Sequence, residues 1–172
     1  MCKKFLKILC VFFVLPMFVM SGCENEEKQD YSIRTDFSAD FEATYRNGEY
    51  KGKLSSNRQG VLTIDITYPQ TIEGLSVRYY SGEMHLAREN IDSSADEAYL
   101  PAQSFPRVVK SVFDGINSDK STIVSISEEE CERTLNTTMG NAVIITGENI
   151  VRQIRIEEID FFISFSNISL SE

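Results

Sequence analysis

Residues 104–117 read Ser104-Phe105-Pro106-Arg107-Val108-Val109-Lys110-Ser111-Val112-Phe113-Asp114-Gly115-Ile116-Asn117, and this stretch decides the fold. Phe105, Val108, Val109, Val112, Phe113 and Ile116 stand at i, i+3, i+4, i+7, i+8 and i+11, one apolar stripe of an α-helix over 104–117. Ser104 is a good N-cap, and Pro106 is tolerated in the first turn, where no intrahelical donor is needed. Gly115 and Asn117-Ser118-Asp119 stop the run. Such a helix must lie on something apolar, and the segments on either side of it alternate with a period of two instead.

Ahead of the helix, Phe37, Ala39, Phe41, Ala43 and Tyr45 alternate with Ser38, Asp40, Glu42 and Thr44, a strand with one buried face. Asn47-Gly48 is a hairpin signal because both residues tolerate positive φ, and the chain returns through Tyr50, Gly52 and Leu54. Arg58-Gln59-Gly60 turns into a strand at 61–68 that Pro69 ends, since proline lacks a ladder donor. Leu75, Val77 and Tyr79, then Met84 and Leu86, form the next pair about Ser81-Gly82, and 92–98 is polar and small enough to read as a surface loop. Behind the helix, strands are expected at 122–127, 132–137, 142–146, 150–156 and 159–168, with turns at Met139-Gly140-Asn141 and Gly147-Glu148-Asn149. The expected class is mostly β (α+β), an antiparallel curved sheet forming an open half-barrel around one amphipathic helix.

The N-terminus has a different character. Lys3, Lys4 and Lys7 precede an apolar run from Ile8 to Met20, and Met20-Ser21-Gly22-Cys23 reads as a lipobox, the processing site of bacterial lipoproteins. Thirteen apolar residues fall short of the roughly 20 that a membrane-spanning helix needs. Residues 1–22 are therefore expected to be a lipoprotein signal peptide, Cys23 the lipidated residue, and 23–36, polar and without apolar period, a flexible tether. The localisation that follows is extracytoplasmic, anchored to the bacterial cell membrane through the N-terminal lipid.

Without the leader, 150 residues remain, enough for one core. The leader holds three Lys and no acid, so the remainder has 14 basic and 26 acidic residues and a formal charge of −12. A surface so acidic is repelled by nucleic acid and by anionic headgroups, and no nucleic-acid partner is expected. Cys2 and Cys10 leave with the leader and Cys23 takes the lipid, so Cys131 has no disulfide partner.

Catalytic chemistry finds little to build on. His85, the chain's one histidine, sits mid-strand between Met84 and Leu86 on the face opposite them, and no base partner is written beside it. Cys131 lies between Glu128-Glu129-Glu130 and Glu132, an acidic setting that disfavours a thiolate. Asp92, Asp96 and Glu97 match no calcium-loop spacing, and phosphate-binding glycine loops, zinc cysteine pairs and Gly-x-Ser-x-Gly elbows are absent. No catalytic residue, metal ligand or cofactor is expected, and an enzyme is not.

Meander, apolar helix and meander behind a lipobox resemble the LolA/LppX-like group of envelope lipoproteins and lipid carriers. The phrases that carry the resemblance are Phe41-Glu42-Ala43 with Gly52 and Leu54, Gly60-Val61-Leu62 running to Tyr68-Pro69 and Gly74-Leu75, Leu100-Pro101, and Phe165-Ser166-Asn167. They span residues 37–170, and in phrasing the chain looks like small Gram-positive lipoproteins of unknown function. Members carry a Gly-x-Pro turn where this chain has Gly147-Glu148-Asn149, which leaves the register there open. The resemblance implies a single domain at 37–170 that holds an acyl chain or other hydrophobic molecule between sheet and helix. Leu75, Val77, Tyr79, Phe105, Val109, Val112 and Phe113 are the candidate lining residues, and the same seven equally suit a filled core in an envelope sensor or protein-interaction module.

Overall fold

Period-two alternation becomes eleven strands in a single antiparallel sheet in the computed structural model, which describes residues 32–57, 59–127 and 129–170. The first meander is β1 (Phe37–Tyr45), β2 (Gly48–Ser56), β3 (Leu62–Tyr68), β4 (Ser76–Tyr80), β5 (Glu83–Arg88) and β6 (Ile91–Asp96). The helix α1 (Phe105–Asn117) follows, and then β7 (Thr122–Ile126), β8 (Cys131–Thr137), β9 (Gly140–Gly147), β10 (Ile150–Ile156) and β11 (Phe161–Leu170). The order across the sheet is β6-β5-β4-β3-β2-β1-β11-β10-β9-β8-β7, so the two meanders join where β1 pairs with β11. The sheet is open: β6 and β7, which flank the helix in sequence, are its two edges. The chain must therefore cross the whole sheet between them, and α1 is that crossing.

The curvature of the sheet follows from what the helix touches. Tyr79 on β4 and Leu135 on β8 are seven strand spacings apart, about 34 Å in a flat sheet. Yet Lys110 Nζ lies 5.6 Å from the Tyr79 ring, and a Cβ on Gly115 would stand 2.5 Å from Leu135 Cδ2. Positions 110 and 115 are only about 7.5 Å apart along a helix some 10–12 Å wide, so both flanks of the sheet must rise around it. Gly115 is required by this closeness to Leu135, not by its backbone conformation.

The core lies on the concave side. Phe37, Phe41, Phe161, Ile163 and Phe165 come from the central strands, and the stripe Phe105, Val108, Val109, Val112, Phe113 and Ile116 from the helix. Phe105 stacks on Tyr50 with ring centroids 4.4 Å apart, and Phe113 meets Phe37 at 6.0 Å. The helix start is tied to the first hairpin, with the Tyr45 hydroxyl donating to the Gln103 carbonyl at 2.7 Å and Arg46 donating to the Gln103 side chain.

Several local expectations are corrected. The first hairpin turns at Arg46-Asn47, both with positive φ, because Tyr45 pairs with Gly48. Residues 92–98 hold most of strand β6, an edge strand whose exposed faces need no apolar alternation, followed by a 3-10 turn at Glu97–Tyr99. The last strand begins at Phe161, and Ile159 closes a 3-10 turn that ends on Asp160 at φ 49. Ser104 occupies the N-cap position without a capping hydrogen bond from its side chain. The turn left open at 147–149 is a two-residue loop, Glu148-Asn149, both at positive φ, with Ile150 opposite Gly147.

Cys23, the leader and the tether up to residue 31 lie outside the described residues. The far end of the expected tether belongs to the folded unit, because the Arg34 amide donates to the Asn149 carbonyl at 2.7 Å and Thr35 and Asp36 are buried. All buried apolar residues that are described lie between Phe37 and Phe165, within one compact unit that begins at Ser32. A chain cut ahead of Ser32 keeps that entire core.

Candidate functional site

The seven candidate lining residues do come together. Val77 and Tyr79 project from β4, Phe105, Val109, Val112 and Phe113 from α1, and Leu75 packs on the same cluster from the edge of the β3–β4 connection. Six of them are no more than 4% exposed. They pack into one buried cluster between sheet and helix, and none of them lines the depressions described among residues 32–170. The described depressions lie elsewhere: about 350 Å³ around Ile33, Thr35, Ile116 and Asn117 at the end of the helix, and about 430 Å³ around Arg78, His85 and Asp92 on the outer side of the sheet.

Tyr79 carries the interior's anomaly. Its hydroxyl is buried without a hydrogen-bond partner among the described residues. Burial pushes the phenol pKa up to about 12, with the Arg107 charge pulling it down and Glu97 and Asp114 pushing it up. Above pH 10 the unfolded chain would lose this proton before the folded one, so stability that is intact below pH 10 drains away as pH rises towards 12. Tyr79→Phe is expected to melt at the same or a slightly higher temperature at pH 7 and to lose less stability than the parent between about pH 9 and 11. Thermal melts at both ends of that range check this, and a clearly lower melting point at neutral pH would mean that the hydroxyl is in fact bonded.

The concave face changes character at the β7 edge. Register places Ile123 opposite Arg133, and Arg133 opposite the buried Ile144, so all three share the helix-covered side. After a bulge, Ile126 pairs with Cys131 on that same side. Ile123, Val124 and Ile126 are nonetheless 38%, 58% and 52% exposed, an apolar edge left partly open to water. Immediately behind them Arg133 is only 5% exposed. The sequence signal for this residue was present: in Cys131-Glu132-Arg133-Thr134-Leu135 the arginine occupies a position of the apolar face.

His85 and Cys131 are not brought together. They stand on β5 and β8 with seven strands between them, His85 on the outer face and Cys131 buried on the inner one. His85 Nε2 lies 3.8 Å from a Glu83 carboxylate oxygen, and both side chains are open to solvent. Asp96 accepts a hydrogen bond from the Ala98 amide at 2.8 Å and so caps the 3-10 turn that follows.

No protein-family model and no curated protein matches the chain. Among solved structures it is similar to an uncharacterized conserved protein from Thermus thermophilus, at 9% identity and TM-score 0.49, over 79% of this chain and 78% of that one. It is also similar to a LolA superfamily protein from Nitrosomonas europaea, at 10% identity and TM-score 0.43, over 83% of this chain and 90% of that one. No residue role passes to this chain from either protein at such identity. The element order and open curved sheet expected from the LolA/LppX-like resemblance are the ones observed.

Proposed function

We propose that the chain is a lipid-anchored, extracytoplasmic and non-enzymatic protein that binds a hydrophobic molecule at the uncovered end of its concave face. One observation carries the binding reading: Ile123 and Ile126 stand on the core side of the sheet and continue its apolar surface, yet both stay partly open to water. A ligand laid against them removes apolar area from water without displacing the packed centre. The anchor is supported by the leader and by Met20-Ser21-Gly22-Cys23, and the non-enzymatic reading by the separation of His85 from Cys131.

The test is native mass spectrometry of residues 24–172 purified without detergent from a bacterial host, followed by titration with the fluorescent fatty acid cis-parinaric acid. A copurifying mass released by organic solvent is expected, and Ile126→Glu should weaken probe binding by roughly tenfold or more, the worth of one buried aliphatic side chain. Its melting temperature should hold, since the side chain is half exposed. A bare protein that ignores the probe would overturn this reading. The unpaired backbone edge of β7 would then favour a second one, an envelope protein docking by strand addition at that edge.

A further inference from the structure

A guanidinium keeps its charge throughout the physiological range, and a charge withdrawn from water needs a partner. Arg133 is 5% exposed, and its Nε is buried without a hydrogen bond. Its one polar contact among the described residues is a 3.5 Å approach of Nη1 to Ser121 Oγ, at the outer limit of bonding. No described carboxylate pairs with it: the acids near the edge, Glu129, Glu130 and Glu132, lie at exposed or partly exposed positions, and Glu132 is on the opposite face of β8. Across the strand pair its direct neighbour is the half-open Ile123, with Ile126 one step along. A cation lacking a counter-ion thus adjoins an apolar strip lacking a cover.

We propose that Arg133 reads the anionic head, carboxylate or phosphate, of an amphiphile whose hydrocarbon tail lies along Ile123 and Ile126. This rests on the hydrophobic-ligand reading above and narrows it to anionic amphiphiles. Arginine suits the task because its planar fork meets a carboxylate or phosphate with two parallel hydrogen bonds. The acidic surface of the chain slows the approach of such a ligand, but at the buried guanidinium itself no described carboxylate competes for the two hydrogen bonds. A free anion would satisfy the guanidinium but not the strip, which is why the ligand must carry both.

The test uses residues 24–172, which retain the whole described core, with oleate, its neutral counterpart monooleoylglycerol, and inorganic phosphate as probes. Oleate is expected to bind about tenfold or more tightly than monooleoylglycerol, the worth of a charge-assisted hydrogen bond, while phosphate alone raises the melting temperature far less than oleate does. Arg133→Met should erase the preference while keeping affinity for monooleoylglycerol, and Arg133→Lys should retain part of it. Arg133→Met without ligand should melt no lower than the parent, because it removes an uncompensated buried charge. A fall in that melting temperature would mean that the guanidinium is already satisfied within the fold and would overturn the proposal. Equal binding of oleate and monooleoylglycerol to the parent would overturn the role of Arg133 and leave the hydrophobic-ligand reading standing. Binding of neither would remove both, and stabilisation by phosphate equal to that by oleate would reduce the site to one for a small anion.

Discussion

Gly52→Ala is expected to destabilise the folded unit by at least about 3 kcal/mol, lowering its melting temperature by roughly 10 °C. A Cβ at this position would overlap the Asp65 carbonyl oxygen and stand 3.0 Å from Phe41 Cε1. The first of these is backbone of the neighbouring strand, so no side-chain rotation relieves it. Gly52 sits where the register between β2 and β3 shifts, the pairs Lys51 with Tyr68 and Gly52 with Ile66 leaving Thr67 as the extra residue. The bulge drives β3 towards β2, and the absent side chain makes room. Gly60→Ala is the control: that residue has φ 78 and nothing within 4 Å of the added methyl group, so only backbone strain of about 1 kcal/mol is expected. Thermal melts of the two variants separate close approach from conformational freedom. Equal losses would refute the steric account of Gly52.

Cys23→Ala is expected to abolish lipid attachment outright. Cells fed an alkyne fatty acid should label the parent protein, and the variant should fall to background, with intact-mass measurement placing the parent's mature N-terminus at Cys23. The effect is all or none because the thiol at position 23 is the acceptor atom in the lipobox reading, and Ser21 and Gly22 beside it supply only a small, accessible site. Two acyl chains, each contributing about 0.8 kcal/mol per buried methylene, hold a protein on its membrane where one chain does so only marginally. A parent protein that takes no label would remove the anchor and, with it, the argument for an extracytoplasmic location. It would leave the ligand readings at Ile123 and Arg133 to stand on their own tests.

Local period made most of the architecture legible. The strand Phe37–Tyr45 buries the residues its alternation selects, and α1 buries the six of its stripe. The misreadings fall where local period has no physical cause. Strand β6 is an edge, so Asp92, Ser93 and Ser94 meet water in either case and their polarity reads as loop. Ile159 continued an alternation on paper, but the left-handed backbone at Asp160 starts the strand after it. The residues of the candidate site were legible one by one and not as a site. Val77, Val109 and Phe113 were identifiable as inward-facing, yet whether such residues line a cavity or fill it depends on volumes contributed by strands far apart in the chain.

The sequence by itself determined the element order, the class of fold and the inward face of nearly every element, because these rest on period and turn chemistry. Only the tertiary structure decided that the inward residues of β4 and α1 pack into one buried cluster, that apolar surface is left exposed at β7, and that Arg133 is buried beside it. The physical reason is that burial is a property of what crosses over a residue, and here the cover over β8 is set by where α1 ends and by how far the sheet curves around it.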